Sequence, residues 1–261
     1  MNKPVSNVQP GSGGRREAGG RVVRSRGQKI GNSLTNSVGL PPPIDGRAVG
    51  RVLAILRREA PSWKAPVLNL IAVQERDPFL VLVGCILSLR TKDETTAQAA
   101  ARLFARSRTA QAMLDLEQEE IERLIYPVGF YRVKARVIRA LCRALIDRFE
   151  GRVPDTLEGL LSLKGVGLKT ANLVLSQAYG KPALCVDTHV HRISNRWGLV
   201  STSKPEQTEK ALKAVVPRRY WTQYNALLVA FGQTICQPVS PRCSRCPINR
   251  LCPRVGVTRS R

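Results

Sequence analysis

Leu163-Lys164-Gly165-Val166-Gly167-Leu168-Lys169-Thr170-Ala171-Asn172-Leu173-Val174 is the stretch on which the reading of this chain turns. Just before it, Asp155 and Glu158 make a capping-box-like start to a short helix, Leu157 to Leu163. After it a second helix runs from Leu168 to about Tyr179, where Gly180 and Pro182 stop it. Two short helices joined through Gly165 and Gly167 suit a helix-hairpin-helix over residues 157–179. Glycine has no Cβ and accepts positive φ, so the joint can turn tightly and approach a ligand. The free amides that open the second helix form a phosphate site, and such contacts hold a nucleic-acid backbone without reading its sequence. An ordinary tight turn between packed helices would use the same two glycines.

Lys169 sits on the first turn of that second helix, about opposite an apolar stripe of Ala171, Val174, Leu175 and Ala178. A lysine so placed is usually only a solvated charge. In a partly dry cleft beside a helix N-terminus its amine would have a lowered pKa and act as a nucleophile. A lysine amine is also the group that forms Schiff bases with sugar aldehydes.

The overall charge tilts the choice toward phosphate. Forty-two Lys and Arg stand against nineteen Asp and Glu in 261 residues, a formal net charge of +23. A soluble chain so basic points to a polyanion, most often nucleic acid. Residues 1–45 account for only +5 of this, so the remainder carries +18 and is itself basic.

Those first 45 residues are rich in Gly, Ser, Asn and Arg, lack hydrophobic periodicity and end at Pro41-Pro42-Pro43, which reads as a disordered basic tail. Their low acidic content suits an organellar transit peptide, and a bacterial basic extension fits equally. Either way the protein is expected inside a cell, in a bacterial cytoplasm or nucleoid or in an organelle. No run of 18 apolar residues occurs, so no transmembrane helix is expected.

Beyond the tail the chain reads as helix after helix. Val52, Ile55 and Leu56 begin an amphipathic segment, and Pro78 opens an apolar run to Leu89. Asp93 reads as an N-cap. Ala112 to Leu124 and Val133 to Phe149 carry the 3.6-residue rhythm. Asp187-Thr188-His189 caps a helix through Trp197, and a last helix spans Tyr220 to Thr234. No alternating strand pattern of useful length appears, so an all-α fold is expected.

Directly after that last helix, Cys236, Cys243, Cys246 and Cys252 follow one another as C-x6-C-x2-C-x5-C. Four thiolates on one loop can close around a tetrahedral zinc or a cubane iron–sulfur cluster, and the spacing alone does not choose between them. Disulfides fit less well, because nothing secretory accompanies the cysteines. Cys85, Cys142 and Cys185 lie among apolar residues and read as inert core thiols.

Taken together, the hairpin at 163–174, Val186-Asp187-Thr188-His189-Val190 and the four-cysteine loop resemble the endonuclease III family of DNA glycosylases. Ile86-Leu87-Ser88-Leu89-Arg90-Thr91-Lys92-Asp93 and Val128-Gly129-Phe130-Tyr131 fit the same pattern in order, and the resemblance covers about residues 46–253. It implies two helical domains with a DNA cleft between them. One is a six-helix barrel over residues 71–181; the other joins residues 46–70 to 182–261 and carries the cluster loop, 236–252. It implies a [4Fe-4S] cluster on the four cysteines rather than zinc. The expected partner is double-stranded DNA containing damaged bases or abasic sites, met by a monomer without membrane association.

The activity implied is that of a bifunctional glycosylase and AP lyase for base excision repair. It would remove oxidised pyrimidines and cleave abasic sites by β-elimination, after flipping the damaged nucleotide from the stack. Lys169 would attack C1′ and Asp187 would stabilise the charge that develops on the sugar. Asp187 also reads as a simple N-cap. Gly165, Gly167, Arg90, Phe130 and His189 would contact DNA; unaided, Phe130 reads as core and His189 as a buried hydrogen-bonded histidine. Asp93 matches a family carboxylate read mainly as a cap, and Arg242, Arg245 and Arg250 could hold phosphates. Arg90 departs from the glutamine usual in the family at the gap left by the flipped base, which unsettles the lesion and opposite-base preference. Adenine-mismatch and thymine-mismatch glycosylases share much of the pattern but tend to lack the hairpin lysine. A DNA-binding protein with lyase activity alone, or with no turnover, is the reading of a different class.

Overall fold

Proline is tolerated at a helix's first position, because the amide it lacks would be unpaired there, and Pro78 opens the most apolar of the described helices in this way. The computed structural model describes residues 41–63 and 77–261. The expectation of a disordered tail falls almost wholly outside these residues, as does the assignment of residues 64–76 to the two expected domains. Asp77 caps the helix, accepting from the amides of Phe79 at 2.8 Å and Leu80 at 3.4 Å. Phe79 to Leu87 are buried without exception, as a helix that is apolar on every side must be.

The helices, in chain order, are α1 (Val49–Glu59), α2 (Pro78–Ser88), α3 (Asp93–Arg106), α4 (Ala110–Leu114), α5 (Gln118–Ile125) and α6 (Tyr131–Phe149). They continue with α7 (Leu157–Leu161), α8 (Leu168–Gln177), α9 (Thr188–Arg196), α10 (Pro205–Val215) and α11 (Trp221–Thr234). No strand occurs among the described residues, and the fold is all-α.

Two hydrophobic cores form within one compact unit. The first gathers side chains of α2 to α8, with Leu82, Ile86, Leu103, Met113, Ile138 and Val174 at its centre. The second takes Val52, Leu53 and Leu56 of α1 together with side chains of α9 to α11 and Ile248, so it is built from two separate stretches of chain. The segment between α8 and α9 divides its side chains between them. Ala183 and Cys185 belong to the first core, whereas Leu184 and Val186 belong to the second. Period-two alternation is what an extended backbone imposes, and here it lets four residues seal two cores at once.

Buried polar contacts tie the two cores together. Asn172 donates to Glu209 at 3.2 Å, Gln177 to the carbonyl of Thr222 at 3.2 Å, and Asn225 to the carbonyl of Cys185 at 3.3 Å.

Local structure departs from the sequence expectation in three places. Ala112 to Leu124 is not one helix: α4 ends at Leu114 and α5 starts at Gln118. Arg139 reaches in from α6 and donates to the carbonyls of Leu114, at 3.4 Å, and Leu116, which satisfies acceptors the break releases. Asp93 is the first residue of α3 rather than its cap; the cap position falls to Lys92. The cap of α7 is Thr156, whose hydroxyl accepts from the Gly159 amide at 3.2 Å. Asp155 pairs instead with Lys181 at 2.6 Å, an exposed contact that holds its carboxyl below the usual range through hydrogen bonding and charge.

Candidate active site and cysteine loop

The hairpin turn needs glycine at one of its two positions. Gly165 has φ +89°, and a Cβ there would stand 2.6 Å from Val137 Cγ1. Gly167 has φ −95° and ψ 175°, extended backbone open to any residue, and a Cβ added to it meets nothing within 4 Å. Gly167 therefore answers to no packing demand of the protein; its bareness leaves the mouth of α8 open to whatever approaches.

Lys169, one residue into α8, is exposed, as a lysine in that position usually is. Its neighbours Thr170 to Ser176 are buried, so the lysine marks the rim of the helix. Behind it stands Cys185, whose sulfur donates to the Lys169 carbonyl at 3.5 Å. Cys185 lies two residues before Asp187 in the extended segment, a step of roughly 7 Å. That contact places the α8 N-terminus beside the α9 N-terminus, and Lys169 near Asp187, although eighteen positions separate them in sequence. Burial pushes the Cys185 thiol well above its ordinary pKa; Asp187 adds to the rise and Lys169 opposes it. Cys85, behind the same surface, is pushed up to about 12, again chiefly by burial. Both are inert core thiols, as is Cys142.

Asp187 caps α9, its Oδ1 accepting from the Val190 amide at 2.8 Å. His189 follows on the first turn, half-buried, with Nδ1 against Arg192 Nη2 at 3.1 Å. Burial lowers its pKa; Asp187 and Asp93 work against this, while Arg192 and Lys169 add to it. His189 thus sits among Lys169, Asp187 and Asp93. Room for it exists because α11 has glycine at 232: a Cβ there would lie 2.4 Å from His189 Nδ1. Asp93 Oδ2 also accepts from Gln233 at 3.2 Å, a link from the start of α3 to α11. Gly232 and Gln233 gave no sign of this in the sequence.

Arg90 and Phe130 meet at the surface. Phe130 is 57 % exposed, which overturns the unaided reading of it as core. It caps α6 with φ 59°, Arg90 has φ 55°, and the Arg90 guanidinium lies 4.9 Å from the centre of the Phe130 ring.

Cys236, Cys243, Cys246 and Cys252 line a single cavity together with Trp197, Phe231 and Arg254. None is in a disulfide. Burial raises the pKa of Cys236, of Cys246 to about 12 and of Cys252 to about 11, and the charges of neighbouring thiols push in the same direction. Sulfurs raised in this way stay deprotonated together only around a positive centre. Among the described residues no three His, Cys, Asp or Glu side chains form a group placed to hold a metal ion. Among the described residues, two buried side-chain nitrogens lack a hydrogen-bond acceptor, Trp197 Nε1 and Arg254 Nε, and both side chains line this cavity. Thiol donors around a hollow whose lining residues also carry unpaired N–H groups fit a group that brings its own electron-rich atoms, as the sulfides of an iron–sulfur cluster do. Arg242 is half-buried in the wall, whereas Arg245 and Arg250 are exposed.

Comparison with known proteins agrees with this architecture. Residues 83–218 match the family model described as HhH-GPD superfamily base excision DNA repair protein. Endonuclease III of Thermotoga maritima is 49 % identical over 179 residues, covering 69 % of this chain and 84 % of its own length. The chloroplastic endonuclease III homolog 2 of Arabidopsis thaliana is 41 % identical over 236 residues, and the match spans 84 % of this chain but only 60 % of the plant protein. Among solved structures, a trapped endonuclease III–DNA covalent intermediate with an estranged adenine superposes with a TM-score of 0.70 at 35 % identity, covering 79 % of this chain and 95 % of that one. The chain belongs to the endonuclease III family of DNA glycosylases and AP lyases, within the HhH-GPD superfamily.

Proposed function

We propose that this protein removes oxidised pyrimidines from duplex DNA and then cleaves the abasic strand, with Lys169 as nucleophile and Asp187 as its electrostatic partner. The contact between Cys185 and the Lys169 carbonyl supports this reading, since it brings the backbone of Lys169, on the hairpin, against the segment that leads into the cap of α9. DNA lies between the two cores, with described residues 77–181 mainly on one side and 46–63 with 182–261 mainly on the other. The protein acts as a monomer inside the cell. No described helix is long and apolar enough to cross a membrane.

The chemistry follows from those positions. The unprotonated Lys169 Nζ forms a bond to C1′ of the flipped nucleotide, and the glycosidic C–N bond breaks with its electron pair leaving on the base, which takes up a proton. The Asp187 carboxylate stabilises the positive charge building on the sugar. After ring opening the amine and C1′ share a protonated imine. That imine withdraws electrons from C2′; a proton leaves C2′, and the C3′–O bond breaks with its pair leaving on the phosphate. Water then releases Lys169 and an unsaturated aldehyde. Gly165 and Gly167 bring the backbone amides of the hairpin to the phosphates, His189 lines the cleft, and Arg90 and Phe130 enter the duplex. Cys236, Cys243, Cys246 and Cys252 hold a [4Fe-4S] cluster, whose contribution is to fix the loop and the exposed Arg245 and Arg250 toward the backbone.

The glycines give one discriminating prediction. Gly167→Ala should leave the thermal midpoint nearly unchanged, a cost of at most about 1 kcal/mol at the cap, yet weaken binding to duplex DNA. Gly165→Ala should lower both, by about 2 kcal/mol in stability for a strained φ and a crowded methyl. Equal affinities for Gly167→Ala and wild type would remove the close phosphate approach.

The reading as a whole is tested by borohydride trapping on one duplex with thymine glycol and another with an abasic site. Lysine-dependent adducts on both are expected. Adducts on the abasic duplex alone would leave a lyase and move the lesion preference elsewhere, with Arg90 the residue to exchange for Gln. No adduct on either would leave a DNA-binding protein without turnover.

A further inference from the structure

Lys134 is a buried charge that the proposed chemistry does not use. It is 6 % exposed, on the face of α6 that also buries Ile138 and Leu141. Its ammonium donates to the carbonyl of Leu87 at 2.8 Å, the carbonyl of Leu89 at 2.6 Å and the Thr91 hydroxyl at 3.1 Å. Three donors meet three acceptors, so the group is fully satisfied. Two of those acceptors are carbonyls at the C-terminal end of α2, where a helix presents partial negative charge. Leu89 and Thr91 flank Arg90.

The other turn is joined through the backbone of the same residue, in the i→i−4 bond that opens α6, and through Thr91. The Lys134 amide donates to the Phe130 carbonyl at 3.0 Å, and the Thr91 hydroxyl that accepts from Lys134 also accepts from the Gly129 amide at 3.2 Å. A Cβ on Gly129 would stand 2.8 Å from the Arg90 carbonyl, so the two turns touch backbone to backbone. Both turns hold a non-glycine residue at positive φ, an arrangement that persists only where the surroundings enforce it. Burial lowers the Lys134 pKa to about 8, so keeping the charge here is costly. An apolar side chain would fill the space more cheaply if packing were all that mattered.

We infer that Lys134 is a positioning residue that presets Arg90 and Phe130 as one rigid stacked pair, ready to enter the duplex where the damaged nucleotide leaves it. The inference rests on the reading above that this pair faces DNA. Without Lys134 the two turns lose their common anchor, and the pair would have to be ordered during binding.

The test is a duplex carrying a tetrahydrofuran abasic analogue opposite 2-aminopurine, titrated to saturation as judged by anisotropy. Wild-type protein should raise the 2-aminopurine fluorescence as insertion unstacks the probe. Lys134→Met should lose most of that rise, with insertion about tenfold less favourable on the scale of a hydrogen bond to a charged group. Lys134→Arg, which keeps charge and donors, should retain more of it. Thr91→Val, which keeps the shape of the side chain and removes its acceptor, should lose part of the rise with a modestly lowered thermal midpoint, because two donors lose a partner, and it decides the matter should the methionine variant not fold. A full rise in Lys134→Met or in Thr91→Val overturns the positioning role alone. No rise with wild type means that Arg90 and Phe130 do not enter the duplex, which overturns the reading beneath it as well.

Discussion

Replacing Lys169 by Gln should abolish covalent trapping and slow strand cleavage at an abasic site by about a thousandfold or more, because it removes the bond-forming atom itself. Few substitutions here separate chemistry from folding so cleanly. Lys169 is exposed, on the rim of a helix whose next seven residues are buried, so the change should move stability by no more than about 0.5 kcal/mol. Binding to an uncleavable abasic analogue should persist, since the hairpin amides and glycines remain. Asp187→Asn makes the complementary case. Asparagine caps a helix about as well as aspartate, so α9 should stay in place while the carboxylate disappears. Excision of a damaged base should then fall further than cleavage of a preformed abasic site, where no glycosidic bond has to break. Single-turnover rates on both substrates at saturating protein measure the difference. Persistent trapping by Lys169→Gln would mean that another amine is the nucleophile.

Much of this was legible beforehand, and the physical reasons are specific. The hairpin announces itself because Gly165 answers a real backbone demand at φ +89°, and the helices on either side obey the apolar period. The cap by Asp187 is local, so an Asp before a helical pattern was enough to find it. The proximity of Lys169 and Asp187 was not readable from spacing; it arises because Cys185 turns into the first core and meets the Lys169 carbonyl. The alternation of Ala183, Leu184, Cys185 and Val186 between two cores was present in the sequence, but four apolar residues in a row do not reveal that they serve two neighbours. Phe130 was hidden for the opposite reason. An aromatic side chain suggests burial, and only its positive φ throws it outward. Lys134 did leave a trace: a charge four residues before Ile138 and seven before Leu141 interrupts an otherwise apolar face. The split of α4 from α5 left none, because the carbonyls it frees are taken by Arg139 from a distant helix.

Cys243→Ser should cost the protein its iron and its DNA affinity together, and the structure supplies the route from one to the other. Serine is a poor ligand for iron where thiolate is required, so the loop from Cys236 to Cys252 would lose its centre. That loop is not free-standing. Arg192 on α9 donates to the Cys236 carbonyl from Nε at 3.2 Å and Nη2 at 2.8 Å. Arg196, one turn on, donates to the carbonyls of Gln237 at 2.7 Å and Pro238 at 2.8 Å, and its Nη1 lies 3.3 Å from the Cys236 sulfur. The arginine that holds the loop also holds His189, and the helix bearing both is the one Asp187 caps. Loosening residues 236–238 therefore takes the carbonyl acceptors away from two guanidinium groups on α9 and unsettles the first turn of that helix. Affinity for duplex DNA should fall about tenfold or more, the scale of losing several phosphate contacts, and the thermal midpoint should fall with it. Iron content, visible absorption and DNA binding measured on one preparation decide the matter. Stoichiometric zinc in the wild-type protein would replace the cluster with a single ion and leave the mechanical argument for α9 intact. Full DNA affinity in an iron-free variant would break the link between loop and helix, whatever metal the cysteines hold.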